Sequence, residues 1–353
     1  MPQTSTVAPV QVTVGLIVRN EAASIAATLH HLLQLDFDPA AAEIIIVDGA
    51  STDGTVDIVN RCIADHPGRR IRLIPETGPR GHGNARNLVL ENAQGQYVAF
   101  TDADCHLPAD WLRTLVRLLD SARRDDPHVV AAGGIRYPAP PRHWKERLLN
   151  DLLGSYLGSG GSAGFVLARS RFVDSIGNYN VIYLRSVAAA EKYLPIRFGE
   201  DFEFNRRLTS KGYKLLLSPD AKVYHHQDPS FRAFARQMAS YGLGQARVWK
   251  LTGHVRLFAP LVALFFIVVA VGWVTAFFST PLFLAYLAIP ASYALVVLAS
   301  SLALATRHRS PSLLLATLLF PMQHAAYAFG FLRGLFQPAR QPPAAQASPN
   351  PPS

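Results

Sequence analysis

Cysteine is scarce in this chain, with Cys62 and Cys105 the only two among 353 residues. Two thiols cannot build a disulfide framework, and their spacing fits no metal motif, so both suit a reducing cytoplasm. Acid is absent from a whole region, since no Asp or Glu follows Asp228. The first 20 residues carry no basic segment leading into an apolar core, and no signal peptide is expected. Phosphate-gripping glycine loops are missing too. Gly81-His82-Gly83 lacks a third glycine and follows the wrong strand, and no Gly-x-x-x-x-Gly-Lys occurs. A dinucleotide fingerprint and a P-loop are thereby excluded. A nucleotide would be held another way, with its diphosphate on a metal.

A formal net charge of +9 raises nucleic acid as a partner, and the placement of the charge removes it. Residues 1–228 hold 25 Lys+Arg against 25 Asp+Glu and are formally neutral. Residues 229–256 add Arg232, Arg236, Arg247, Lys250 and Arg256 without an acid, and Arg307, Arg309, Arg333 and Arg340 complete the excess. The basic residues thus lie beside and among apolar segments, the pattern of a surface facing anionic lipid rather than nucleic acid. The length leaves room for a catalytic domain of about 200 to 250 residues and a second part.

Strand and helix patterns alternate through the first half. Val10 to Val18 reads as a strand, Ala22 to Leu35 as a helix, and Glu43 to Val47 as a second strand of unbroken apolar character, as parallel strands buried on both faces are. A helix over Val56 to Ala64, a strand over Ile71 to Ile74, a helix from Gly81 to Ala93 and a strand over Tyr97 to Phe100 follow. A helix over Ala109 to Arg123, a strand over Val129 to Ile135 and an amphipathic helix over Trp144 to Leu153 come next. The class is α/β with a mostly parallel central sheet built from βαβ units.

Such sheets bind ligands at the carboxyl ends of their strands, where Glu21, Asp48, Asp53 and Asp102 converge. Asp48 and Asp53 also suit plain turn and cap roles. Asp102-Ala103-Asp104 follows the fourth strand, and paired carboxylates there suit a hard divalent cation that in turn binds a diphosphate. One of them could equally cap a helix at Pro108 to Trp111.

Val18-Arg19-Asn20-Glu21, Val47 to Thr55, Ala85-Arg86-Asn87 and Asp102-Ala103-Asp104, in this order, resemble glycosyltransferase family 2. Within it they look most like the succinoglycan-type exopolysaccharide enzymes. The resemblance runs from about Val10 to Lys250, and it implies a GT-A fold and a nucleotide diphosphate sugar donor. It places Glu21 and Asp48 on the nucleoside, with Asp53, Arg86 and Asp102 also binding substrate. Asp104, with Asp102, would hold Mg²⁺ or Mn²⁺.

Farther on, Gly158 to Gly164 has four glycines in seven residues. It reads as a backbone-donor loop or as a linker, and not as helix or strand. Phe165 to Arg169 reads as a short strand, and Asn180 to Ile196, longer than the family pattern, as an acceptor-shaping lid. Gly199-Glu200-Asp201-Phe202 matches the family's Glu-Asp motif at a helix start. By resemblance Asp201 is the base that takes the acceptor proton and Glu200 its neighbour. Without it, the pair reads as an acidic first turn answering a helix dipole. Adjacent histidines in a strand face opposite ways, so at most one of His225 and His226 could join the metal, with His225 the candidate.

Arg232 to Lys250 is basic and amphipathic. Processive relatives carry Gln-x-x-Arg-Trp where this chain has Gln237-Met238-Ala239-Ser240-Tyr241, so an interfacial helix that delivers the acceptor is expected instead. Leu257–Phe278, Pro281–Ala305 and Ser312–Leu332 are each long enough to span a bilayer. Basic residues before the first span and at Arg307 and Arg309 place both connections inside. Arg333, Pro321, Gln323 and His324 leave the third segment open between spanning, lying in the interface and re-entering.

The expected organisation is a loose N-terminus (1–9), a GT-A domain (10–228), an interface segment (229–256), a membrane region (257–335) and a disordered tail (336–353). The expected enzyme is an inverting glycosyltransferase in the cell membrane, multi-pass, with its catalytic domain cytoplasmic. Its partners would be a nucleotide diphosphate sugar, a lipid-linked glycan acceptor, membrane lipid and other polysaccharide-assembly proteins, with no nucleic acid. The rival readings are a polyprenyl-phosphate glycosyltransferase and a non-catalytic nucleotide-sugar-binding scaffold.

Overall fold

Apolar strands alternating with amphipathic helices form β1 (Val12–Val18), α1 (Ile25–Leu33), β2 (Ala42–Asp48), α2 (Thr55–Asp65), β3 (Ile71–Pro75), α3 (His82–Asn92) and β4 (Tyr97–Asp102). They are followed by β5 (Cys105–His106), α4 (Trp111–Asp125), β6 (Val129–Pro138), α5 (Trp144–Leu153) and α6 (Tyr156–Ser159). Next come β7 (Arg171–Val173), β8 (Asn180–Leu184), α7 (Arg185–Glu191), α8 (Glu200–Ser210), β9 (Lys214–His225) and α9 (Phe231–Thr252). The last are α10 (Phe258–Val271), extended by a 3₁₀ turn over Gly272–Phe277, then α11 (Thr280–Arg307), a second 3₁₀ turn over Pro311–Leu315, and α12 (Ala316–Phe336). The structure, a computed structural model, describes residues 9–78, 81–161, 167–194, 196 and 199–337. The expected loose N-terminus, apart from Pro9, and the tail beyond Gln337 lie outside the described residues.

The described residues fall into two compact units. One takes the chain up to Ala139 and again from Leu167 to His226; the other takes it from Pro140 to Gly161 and from Gln227 onward. The first unit is a nine-stranded sheet in the order β3-β2-β1-β4-β8-β6-β9-β5, with β7 also on β9. β3, β2, β1 and β4 are parallel, as are β6 and β9, while β8, β5 and β7 pair antiparallel. The sheet is therefore mixed, and less parallel than its βαβ pattern implied. Its core joins β1, β2 and β4 to one side of α1 and α4, with Val12, Leu16, Ile25, Trp111, Leu115 and Leu119 buried.

Four local expectations need correction. β4 runs on through Thr101 and Asp102, because both continue the ladder with β1. The segment read as a lid begins with β8, whose Asn180, Val181, Ile182 and Tyr183 are buried between β4 and β6. Asn180 can lie there because it is fully bonded: Trp111 Nε1 donates to its Oδ1 at 2.9 Å and its Nδ2 donates to Ala221 O at 3.0 Å. Leu167 to Arg169 are not strand; β7 forms two residues later, and Phe165 lies outside the described residues. Gly158 and Ser159 belong to α6, capped by Ser155 Oγ accepting from Gly158 N at 3.0 Å, and Ser162 to Gly164 lie outside the described residues.

In the second unit three helical stretches are long and apolar enough to cross a membrane: Phe258–Phe277, Thr280–Arg307 and Pro311–Phe336.

Candidate active site

Register aligns the strand ends. Val18 lies opposite Asp48, and Ile17 lies opposite Asp102, so β1, β2 and β4 deliver their following residues to one edge. The loops after β1 and β2 are then tied together. Asn20, at φ +58°, donates its N–H to Ser51 Oγ at 2.9 Å and accepts from Thr52 N at 2.8 Å. Glu21 N donates to Thr55 Oγ1 at 2.8 Å. Asp53 accepts from Ala22 N at 3.0 Å on one oxygen and from Thr55 N at 3.1 Å on the other. Hydrogen bonds from the Thr55 hydroxyl and from Ala22 N lower its pKa. Asp53 is thus a clamp between two loops. Asp48 is buried and accepts from Ser51 N at 3.1 Å.

Carboxylates crowd this edge. Burial raises the Glu21 pKa, the Ser24 hydroxyl opposes, and the charges of Asp104, Asp102 and Asp53 add to the rise. Burial and then Asp104 raise Asp102, against the pull of Arg86 and His225. Burial acts upward on Asp104 as well, yet the hydrogen bond and charge of His225, with Arg136, bring it below the usual range. His225 Nε2 lies 2.6 Å from Asp104 Oδ2, while its buried Nδ1 has no partner among the described residues. His226 turns the other way, its ring centroid 5.2 Å from that of His106, which stands 4.9 Å from His31. Sequence reading passed over that row of imidazoles.

Among the described residues no three His, Cys, Asp or Glu side chains converge on one cation position. A Mg²⁺-type site does not require it, because such ions take one or two carboxylates and complete their shell with water and substrate phosphate. Asp104, Asp102 and His225 offer hard oxygens and an imidazole. The charge of Asp104 raises the pKa of both Asp102 and Glu21, and a cation would relieve that crowding. The residues fit the ion.

Glu200 and Asp201 open α8 but face different environments. Glu200, 4% exposed, is ion-paired to Arg86, 5% exposed, with His82 Nδ1 at 3.8 Å from the same oxygen. Burial pushes Glu200 up to about 7, with Arg86 opposing and Asp201 assisting. The guanidinium of Arg86 also sits 5.9 Å from the ring centroids of both Phe100 and Tyr193. Arg86 is therefore spent on Glu200. Asp201 is half-buried, and its Oδ1 accepts the N–H of Phe202 at 2.7 Å. Its charge adds to the rise in the Asp102 and Arg86 pKa values.

Two supporting groups escaped the sequence reading. Asn87 donates to Tyr193 O at 2.8 Å and accepts from Tyr193 N at 2.7 Å, holding that ring against Arg86. Its place in Ala85-Arg86-Asn87 was the available signal. Glu76, directly after β3, accepts from Gly81 N at 2.9 Å and adds a carboxylate at the end of that strand. Its position after an apolar strand, like that of Asp48, was legible.

The chain matches the family described as Glycosyl transferase family 2 over residues 13–175, and Glycosyl transferase family group 2 over residues 97–329. It is 24% identical over 321 residues to a dolichyl N-acetyl-alpha-D-glucosaminyl phosphate 3-beta-D-2,3-diacetamido-2,3-dideoxy-beta-D-glucuronosyltransferase of Methanococcus voltae, spanning 90% of this chain and 95% of the relative. To the succinoglycan biosynthesis protein ExoO of Rhizobium meliloti it is 27% identical over 202 residues, 55% of each chain. Among solved structures, mannosyltransferase PcManGT from Pyrobaculum calidifontis, in complex with GDP-Man and Mn²⁺, superposes with a TM-score of 0.59 at 24% identity. That match covers 94% of this chain and 90% of the other.

Proposed function

This chain belongs to glycosyltransferase family 2 and has a GT-A fold, and from that premise we propose that it is a membrane-bound inverting enzyme. It moves a sugar from a nucleotide diphosphate sugar to a hydroxyl of a lipid-linked glycan. The GT-A domain takes residues 10–228, residues 229–256 meet the membrane surface, and residues 257–335 hold the membrane helices, with catalysis on the cytoplasmic side. The relative from Methanococcus voltae is named for a dolichyl-linked sugar phosphate, and that name supports a lipid-linked acceptor.

The observation that carries the reading is the division of labour at the start of α8. Glu200 is buried and paired with Arg86, which leaves Asp201, half-buried and electrostatically coupled to Asp102, as the carboxylate for the acceptor. In the reaction the acceptor oxygen forms a bond to the anomeric carbon as the bond from that carbon to the diphosphate oxygen breaks. The bonding pair leaves with the diphosphate, and the hydroxyl proton passes to the Asp201 carboxylate. Glu21 and Asp48 receive the nucleoside. Asp53 contributes to substrate binding by clamping the loops that carry them, and Arg86 by fixing Glu200. Asp104 and Asp102 would hold Mg²⁺ or Mn²⁺, with His225 orienting Asp104, and the ion would supply charge compensation for the diphosphate.

Nucleotide release from a labelled donor, measured in native membranes with and without added lipid extract, tests this. Release that depends on a neutral lipid-linked glycan supports it. Release driven by polyprenyl phosphate alone would replace it with transfer to phosphate, and no release with any donor would leave a binding role.

A further inference from the structure

α10 and α11 are antiparallel neighbours whose tip and base can be read from their contacts. The Tyr286 hydroxyl donates to Val269 O at 3.0 Å, and the Phe265 and Tyr293 rings lie 4.6 Å apart. Ser279 therefore marks the tip, while Phe258 and Arg307 belong to the base. α12 stays with the base at both of its ends. Its first turns share an apolar cluster with Val297 and Leu304 of α11, and its last turns share one with Ala259 and Ala263 of α10. The end of α12 is held by Lys250, a residue ahead of α10, whose Nζ donates to Leu335 O at 2.8 Å and Gln337 O at 2.6 Å. A helix that crossed beside α10 from the same base would end near Ser279. This one ends at Lys250.

The packing of α9 on α12 gives an independent reason. A Cβ on Gly242 would stand 2.0 Å from Tyr327 O, and one on Gly330 would stand 1.9 Å from Ala239 O, so the two backbones touch. Trp249 stacks on Phe331, with ring centroids 5.9 Å apart. Any depth reached by α12 is shared by α9, which carries Arg236, Arg247 and Lys250. Each such cation is costly to hold at mid-bilayer. Burial points the same way: 44% of the most apolar window of the third stretch is covered, against 11% and 6% for the first and second.

We infer that α12 lies along the membrane surface, that only α10 and α11 cross, and that α9 and α12 form a platform docked on anionic phospholipid. The inference rests on the reading that α10 and α11 cross the membrane. α12 exposes Leu318, Phe329 and Phe336 to acyl chains, and α9 with its neighbours exposes Arg232, Arg236, Arg307 and Arg309 to headgroups. No acid follows Asp228 in the chain, and Asp151 of α5 meets His308 at 3.6 Å, between the two arginines Arg307 and Arg309. Arg333 then falls on the basic, cytoplasmic side, where three spans would have put it outside.

Single cysteines at Ser279, Ser310 and Gln337 of the full chain, with Cys62→Ser, would be exposed to an impermeant maleimide in intact cells. Labelling at Ser279→Cys alone is the expected result. Labelling of Gln337→Cys as fast as Ser279→Cys means that α12 spans, and the inference falls. Silence at Ser279→Cys overturns the crossing of α10 and α11 itself, and with it the platform. For the lipid, the full chain would be equilibrated with equal phosphatidylglycerol and phosphatidylcholine, and the retained lipid counted. A preference for phosphatidylglycerol of about fivefold is expected, lost in Arg232→Gln/Arg236→Gln/Arg309→Gln. Equal retention by the parent chain overturns the anionic partner.

Discussion

Arg86 of α3 and Glu200 of α8 form a buried ion pair between residues 114 apart in the chain. The pair joins a helix that follows β3 to the helix that carries Asp201. It also separates the two adjacent carboxylates, since Glu200 is taken by the guanidinium and Asp201 is not.

Removing one partner should be worse than removing both. Arg86→Met leaves Glu200 buried without a cation, and breaking such a pair typically costs about 3–5 kcal/mol. The expected outcome is a lower thermal midpoint for the solubilised chain, largely restored in Arg86→Met/Glu200→Leu. A double variant as unstable as the single one would show that the charge pair is not the source of the loss.

Glu200 also predicts a pH dependence. Burial raises it from an ordinary 4.5 to about 7. The folded protein therefore binds this proton more tightly than the unfolded chain does. The resulting stability is complete below about pH 4.5 and disappears as pH rises through about 7. Between pH 5 and 8 the parent should lose stability relative to Glu200→Gln, which has no carboxyl to ionise there. Parallel melting curves for the two proteins across that range would count against the assignment.

Asp201→Asn keeps the shape of the side chain and removes the group that accepts the proton. A loss of about 10²- to 10⁴-fold in kcat is expected, with the donor KM nearly unchanged. Transfer at the parental rate would make a phosphate acceptor the better reading, because such an acceptor has no proton to give up.

Asp104→Asn tests the metal. Metal affinity should fall by at least about 10- to 100-fold, the loss seen when even outer partners of a metal site are removed. Titration of Mn²⁺ by paramagnetic resonance on the folded chain measures this apart from turnover. Full activity of the parent chain in EDTA would remove the ion from the reaction.

Much of the nucleotide-side half was legible because its signals are local. The apolar runs of β1 to β4 announce buried strands, and the acids Glu21, Asp48 and Asp102 stand directly at or after them. What was illegible depends on distant partners. Asn180 looked like the start of a surface excursion, since a polar residue rarely sits in a sheet interior. Trp111, Ala221 and Ile135, all remote in sequence, satisfy it there. Glu200 and Asp201 look alike as a sequence motif, and it takes the reach of Arg86 to separate them. Asp53, quoted for substrate, spends both oxygens on Ala22 and Thr55.

The order of strands along the chain also sets a timetable for synthesis. β1 to β4 emerge first and can pair among themselves, whereas β8 enters the sheet between β4 and β6 only after β6 is made. At about 5–20 residues per second, α8 and β9 leave the ribosome roughly 5–25 s after Asp102. During that interval a nascent chain holds Glu21, Asp48 and Asp102 without Asp201 or His225. The edge formed by β1, β2 and β4 is therefore complete before the carboxylates of α8 exist, and the long apolar helices arrive last.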